Sequence, residues 1–251
     1  MTKITAIIPT LNEEIYIEDA IKSVSFADEI IVIDSYSNDK TIEIAEKFHV
    51  KIIKRKFDDF SSQKNFAIQQ ASYSWIYILD ADERVTPELQ KEILEAVKRP
   101  KDFVGFDIKR RTHFAGKKIK FGGVQNDKVI RLFLKEFCKY DGAVVHEKIV
   151  FNGKIGALKK QIEHYTFRDY NHYINKLNSY SELKSQELFN TGRASVTFFH
   201  FIIKPLARFV KHYFLKLGFL DGCAGFIFAK TQSYGVLSRY IKLFLLNKKA
   251  K

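Results

Sequence analysis

Short apolar runs and amphipathic stretches alternate through the first hundred residues. Residues 4–9, 29–34, 51–54 and 75–79 read as strands, rich in Ile, Val and aromatic side chains. Between them lie segments of helical spacing. Residues 13–24 offer Ile15, Ile17, Ile21 and Val24 to an apolar face, residues 39–48 present Ile42, Ala45 and Phe48, and residues 61–70 form a third helix. Pro87 stands at a first helical position and predicts a helix over 88–98. Repeated strand-helix units predict a mainly parallel sheet covered by helices, with ligands at the carboxyl ends of the strands.

Beyond residue 100 the pattern changes. Residues 103–114 and 117–121 read as strands around an Ala115-Gly116 turn, and residues 129–134 as another strand. From Asp169 the spacing is helical, with Tyr170, Tyr173, Leu177 and Tyr180 on one face, continued by Leu183 and Leu188, and this helix is expected to pack on the domain. Residues 196–203 are strongly apolar until Lys204 and Pro205. Residues 206–219 mix Phe209, Phe214, Leu217 and Phe219 with Arg208, Lys211 and Lys216, and residues 218–222 read as a turn. No uncharged run approaches the ~20 residues that cross a bilayer.

Composition adds a charge asymmetry. Residues 1–100 hold 13 Lys+Arg and 18 Asp+Glu, a net of −5, whereas residues 101–251 hold 29 and 11, a net of +18. The basic half is expected to meet a polyanion, either nucleic acid or an anionic membrane. Basic residues alternating with Phe, Leu and Tyr fit helices lying in a lipid interface, although the same aromatics also suit an ordinary core. Cys138 and Cys223 form no metal-ligand spacing or disulfide framework, and the N-terminus shows no signal-peptide pattern. A reducing, cytoplasmic location is the expectation.

The candidate chemistry sits at the strand ends. Pro9, Thr10, Asn12, Glu13 and Glu14 follow the first strand, and Asp34, Ser35, Tyr36, Ser37, Asn38 and Asp39 follow the second. Asp80 and Asp82 end the apolar run at 75–79. Ionised carboxylates are costly to bury unpaired, so this pair should face water, a cation or a hydrogen-bond donor. Hard divalent cations take oxygen ligands and bridge carboxylates to phosphates. One polar loop would be unremarkable, a helix cap and nothing more; three on one sheet edge point to a binding site.

Four ordered segments carry a resemblance: Ala6–Glu14, Ile31–Ser35 with Ser37, Asp39 and Thr41, Gln63–Ala67, and Ile78–Glu83. Together they resemble the nucleotide-binding half of the family 2 inverting glycosyltransferases, which have the GT-A fold. The resemblance implies an α/β, Rossmann-like mixed sheet flanked by helices. Residues 1–165 would form the glycosyltransferase domain, with 1–100 binding nucleotide-sugar and 101–165 forming the acceptor part. By their own basic and aromatic pattern, beyond the resemblance, residues 166–251 would be a helical, membrane-associating region.

By the same resemblance, Pro9, Thr10, Asn12 and Glu13 would line a uridine pocket, with Asp34 and Ser35 at the base. Lys64 would reach the base or the diphosphate. Asp80, with Ala81 beside it, would hold the ribose or a metal-bound water, and Asp82 would ligate Mg²⁺ or Mn²⁺. Asp80 stands as a second candidate metal ligand.

An inverting transferase needs a base for the acceptor hydroxyl. In residues 141–148 the choice is Glu147, because His-Glu after a short apolar strand resembles a subgroup that works on lipopolysaccharide core; Asp141 is the reserve. His146 stays open between metal ligand, phosphate contact and packing, and Arg131 between a phosphate contact and a solvent-facing strand residue.

The resulting expectation is an enzyme, peripheral on the inner face of the cytoplasmic membrane. It would move a sugar from a UDP-sugar to a lipid-linked glycan acceptor, with no nucleic-acid partner. The rivals are a polyprenyl-phosphate glycosyltransferase, a non-catalytic polyanion binder with steeply salt-dependent affinity, and a catalytically dead donor-binding scaffold.

Overall fold

The structure is a computed structural model that describes residues 2–114, 116–142, 147–165, 170–192 and 195–250. Its first elements are β1 (Ile4–Thr10), α1 (Ile17–Ser23), β2 (Glu29–Asp34), α2 (Thr41–Ala45), β3 (Lys51–Lys54), α3 (Phe60–Gln69), β4 (Trp75–Ile78), β5 (Glu83–Arg84) and α4 (Pro87–Lys98). Then come β6 (Phe103–Phe114), β7 (Lys117–Lys118), β8 (Lys128–Leu134), β9 (Cys138–Tyr140), β10 (Ile149–Phe151) and β11 (Lys154–His164). The remaining helices are α5 (Tyr170–Asn190), α6 (Phe198–Phe201), α7 (Ile203–Val210) and α8 (Gly222–Lys249), with a π-helical turn at Lys211–Leu215 and a 3₁₀ turn at Gly218–Asp221.

The chain divides into two compact units, Met1–Arg110 with Lys128–His164, and Arg111–Asp127 with Tyr165–Lys251. The segment 111–127 therefore groups with the C-terminal helices, whereas the sequence reading kept it in the first region.

In the first unit the strand order among the described residues is β3-β2-β1-β4-β8-β6-β11-β5. Strands β1 to β4 pair in parallel, as the strand-helix alternation predicted. Strand β8 then enters antiparallel to β4, with Tyr77 opposite Leu132, and β6 is antiparallel to β8. This is the expected GT-A-type mixed α/β sheet, flanked by helices. Alternate residues of β1 and β4 serve opposite faces. Ile4, Ala6, Ile8, Trp75, Tyr77 and Leu79 pack with α1 and α4. Ile7, Ile76 and Ile78 pack with Ala67 and Ile68 of α3. Burial on both faces explains why the run at 75–79 has no polar alternation.

Two helices differ from expectation, for one reason. The expected helices over 13–24 and 39–48 start late, at Ile17 and Thr41, because the loops after β1 and β2 lace together; α1 ends at Ser23 and α2 at Ala45. Asn12 N donates to Ser37 Oγ at 2.9 Å, Asn38 N to Asn12 Oδ1 at 2.9 Å, Glu13 N to Thr41 Oγ1 at 2.7 Å, and Glu14 N to Asp39 Oδ2 at 3.1 Å. Helical bonds are replaced by cross-loop ones, and Asn12 takes a left-handed backbone (φ 58°) that Asn tolerates.

In the second unit α5 packs along α8. Tyr173, Ser181 and Ser185 are buried on α5, and Thr231, Gly235 and Ser238 on α8. Ser181 Oγ donates to Gly235 O at 3.1 Å, a closeness that small residues permit. Of the apolar face expected on α5, Tyr173 and Leu177 turn inward, whereas Tyr170, Tyr180 and Leu183 are exposed. The inward row continues through serines, which a count of apolar residues overlooks. Among the described residues no helix is long and apolar enough to cross a membrane.

Candidate active site at the end of β4

All the groups below belong to the first unit. Strand β4 runs out at Ile78, and the chain turns immediately, with Glu83 N donating to Asp80 O at 2.9 Å. The turn brings Asp80, Asp82 and Glu83 to one place. Glu83 is fully buried, which for a carboxylate requires partners. They are Arg131 Nη2 at 2.7 Å, Arg110 Nη1 at 3.7 Å and Asp80 N at 3.2 Å. The same Arg131 Nη2 bonds Asp80 Oδ2. Arg131 is thus a buried residue bridging two carboxylates, which resolves its open reading against a solvent-facing role.

The second cation is Lys64, buried on α3. Its Nζ lies 2.7 Å from Glu147 Oε1, 3.6 Å from Asp80 Oδ1 and 5.2 Å from the centre of the Tyr140 ring. Helix α3 starts under an Asp59 cap that accepts from Ser62 N at 2.8 Å. Its Asn65 grips β9 at two points: Nδ2 donates to Tyr140 O at 3.1 Å and Oδ1 accepts from Tyr140 N at 2.9 Å. The ring and the ammonium are therefore positioned from the same helix.

Electrostatics follow from this packing. Burial opposes charge on Asp80, but Arg131 and then Lys64 outweigh it and hold its carboxyl well below the usual carboxylate range. Burial likewise opposes charge on Lys64, and Asp80 above all keeps it protonated. Both Asp80 oxygens face protein cations, so this carboxylate is poorly placed to give itself to a metal. Asp82 is different. It lies beside His164 at the end of β11, with Nε2 3.5 Å from Asp82 Oδ2, and β11 delivers His164 opposite Glu83 in β5. Carboxylate and imidazole together are a donor pair that a divalent cation accepts. Among the described residues no third His, Cys, Asp or Glu completes a cluster.

The loops after β1 and β2 form a second patch. Buried Asp34 accepts from Ser37 N at 2.9 Å, Ser37 Oγ at 2.5 Å and Thr10 Oγ1 at 3.2 Å. Ser35 Oγ accepts from Gln63 Nε2 at 2.5 Å. Pro9 lies in β1 opposite Ile33, Asn12 and Glu13 are committed to the loop lacing, and the Ala81 carbonyl accepts from Arg84 Nη1 at 2.6 Å. The structure thus gathers Lys64, Asp80, Arg131 and Glu147 into one network, sets Asp82 against His164, and keeps Thr10, Asp34 and Ser35 in a neighbouring one.

Asp141, the reserve base, has its Oδ1 3.3 Å from Lys148 N, and His146 lies outside the described residues. Sequence reasoning missed Glu83, His164 and Tyr140. The only signal for His164 was an imperfect alternation over 154–164, interrupted by Lys159-Lys160.

The fold is thus an α/β one, a parallel-to-mixed sheet with ionisable groups gathered at the carboxyl end of a central strand, where ligands of open α/β sheets bind. Residues 5–122 match glycosyl transferase family 2. The chain is 30% identical over 263 residues to an uncharacterized glycosyltransferase of Rickettsia typhi, covering 100% of this chain and 90% of that protein. It is 29% identical over 235 residues to the lipopolysaccharide core biosynthesis glycosyltransferase LpsC of Rhizobium meliloti, covering 91% and 87%. Solved glucosyl-3-phosphoglycerate synthase from Mycobacterium tuberculosis is similar over 45% of this chain and 44% of that one, at 21% identity and a TM-score of 0.39. The chain belongs to glycosyl transferase family 2 and resembles its lipopolysaccharide core members.

Proposed function

We propose that this glycosyltransferase moves a sugar from a UDP-sugar to a lipid-linked cell-envelope acceptor, with inversion, at the inner face of the cytoplasmic membrane. The observation that carries the reading is the Lys64 ammonium set between Asp80 and Glu147 at the carboxyl end of β4. Lysine suits a mobile diphosphate, and a carboxylate within reach of it suits a base. Lipopolysaccharide core is the proposed acceptor class, supported by the name of the Rhizobium meliloti relative.

In the proposed single displacement the acceptor oxygen attacks the anomeric carbon as the bond from that carbon to the diphosphate oxygen breaks. Glu147 takes the acceptor proton, Lys64 faces the departing diphosphate, and Arg131 keeps Asp80 ionised and fixed. Asp82 and His164 fit Mg²⁺ or Mn²⁺, which when bound supplies Lewis-acid neutralisation of the diphosphate. Thr10, Asp34 and Ser35 would meet the uridine.

Calorimetry of UDP binding with and without Mn²⁺, in the wild type and Asp82→Ala, tests the donor site. Metal-dependent binding that is lost in the variant is expected; no UDP binding by the wild type under either condition would overturn the assignment.

A second reading has one observation in its favour. The Glu147 carboxylate is already engaged by Lys64 at 2.7 Å, and a polyprenyl phosphate acceptor, already ionised, needs no base. Near-normal transfer by Glu147→Gln decides for that acceptor.

A further inference from the structure

We propose that the outward face of α6, α7 and the turn after them docks on an anionic lipid surface, lying in the interface without crossing it. Helix α7 is amphipathic the wrong way round for a surface helix in water. Its charged residues point into the unit: Lys204 Nζ donates to Tyr240 Oη at 2.7 Å, and Arg208 Nη1 lies 3.4 Å from His212 Nε2. Pro205 is buried against α8, where its carbonyl accepts from Ser233 Oγ at 2.7 Å.

The opposite side is apolar and exposed. Phe199, Ile203, Leu206, Val210, Phe214 and Leu217 follow one another at steps of four or three, one helical stripe carried through the turns. Phe198 (75% exposed) and Leu215 (76%) stand at its two ends. Soluble monomers rarely expose contiguous apolar surface of this extent unless it is an interaction site.

Charge selects the occupant. Residues 195–251 contain ten Lys+Arg and one acidic residue, Asp221. That carboxylate is turned to the backbone N–H groups of Lys120 and Phe121, at 3.1 and 2.8 Å. Lys211, Lys230, Lys248 and Lys249 are exposed cations of the same unit. Two copies of so basic a surface repel each other, whereas anionic headgroups attract each lysine as the apolar stripe enters the acyl boundary.

This inference rests on the membrane location in the proposed function and names the surface that would reach it; its test involves no sugar or nucleotide, so failed docking is distinguishable from failed donor binding. The intact chain would be floated with phosphatidylcholine vesicles with or without phosphatidylglycerol, as wild type, as Leu206→Glu/Leu215→Glu, and as Leu183→Glu on exposed α5 off the stripe. Expected is flotation with the phosphatidylglycerol vesicles that falls about tenfold in the double variant or on pure phosphatidylcholine, and is kept by Leu183→Glu.

Wild type left in the soluble fraction, or a double variant that floats equally well, overturns the proposal. So does a wild-type dimer in sedimentation that Leu206→Glu/Leu215→Glu dissociates without any flotation, the signature of a second copy as occupant. If the double variant loses its cooperative melt, Cys223→Ser/Leu215→Cys carrying an environment-sensitive dye replaces it. A blue shift on phosphatidylglycerol vesicles supports docking, and an unchanged spectrum overturns it.

Discussion

Lys64 holds Glu147 at 2.7 Å while its ammonium stands 3.6 Å from Asp80, so one buried cation serves carboxylates from two separate parts of the chain. Removing the Glu147 charge leaves Lys64 with Asp80 alone and a greater share of its field for an incoming phosphate. Glu147→Gln is therefore expected to bind UDP at least as tightly as the wild type and to lose transfer. Lys64→Met should weaken UDP binding about tenfold, or ~1.4 kcal/mol. Calorimetry and a transfer assay on the two variants check this; UDP binding that weakens equally in both would mean that Glu147 itself holds the donor.

The depressed Asp80 pKa has a defined consequence for acid stability. A carboxylate whose folded pKa lies below its unfolded value of ~3.9 stabilises the fold fully above that value. Its contribution is lost as the pH falls below ~4, where the unfolded chain takes up a proton that the native state refuses. Asp80→Asn removes this linkage and leaves Arg131 and Lys64 short of countercharge. The variant should melt lower at neutral pH, with a shallower fall in Tm between about pH 5 and pH 3. Parallel acid limbs in the two proteins would refute the assignment.

His164 should matter only when metal is present. Its imidazole reaches Asp82 from β11, a strand that joins the sheet antiparallel to β5. His164→Ala is expected to lower UDP affinity in Mn²⁺ about tenfold and to leave metal-free affinity unchanged. A loss of equal size with and without metal would point to a purely structural histidine.

That residue also marks where legibility ended. The parallel half was readable because β1, β2 and β4 centre on runs of Ile, Val and aromatic residues and even the short β3 keeps Ile52 and Ile53 between its lysines; Asp80 and Asp82 follow directly on the last run, whereas Lys64 was reached only through the resemblance of its segment. Strand β11 was not readable, because its burial alternates imperfectly and paired lysines break it. Glu83 carried no signal at all, since a carboxylate beside two others reads as solvated until Arg131 and Arg110 arrive from β8 and β6. The inside-out helix α7 was half legible. Its mixture of Phe and Lys was plain, but which side faced outward depended on Tyr240 and His212, partners distant in the pattern.

The two thiols should react very differently. Cys138 is buried in β9 and burial alone pushes its thiol up to about 11, whereas Cys223 is exposed at the start of α8. At pH 8 only about one Cys138 in a thousand is thiolate, the form that attacks alkylating reagents. Iodoacetamide on the native protein should label Cys223 and spare Cys138 by mass mapping, with both labelled in urea. Native labelling of Cys138 would show that the sheet edge at β9 opens readily.

Gly225 tests the packing of α8 on the turn before it. A Cβ at this position would fall 1.8 Å from Gly218 O and 2.9 Å from Gly218 C, backbone atoms that cannot rotate aside. Alanine gains about 1 kcal/mol over glycine in a helix interior, but overpacking against fixed atoms costs about 1–3 kcal/mol and sometimes more. With so short an approach the steric cost wins, because α8 or the 3₁₀ turn must move as a body. The same turn carries Asp221, whose carboxylate ties Lys120 and Phe121, so the disturbance reaches the 120–122 loop as well. Gly225→Ala should lower the urea midpoint of the second unit by an amount worth about 2 kcal/mol. An alanine variant as stable as the wild type would mean that α8 does not approach Gly218 this closely.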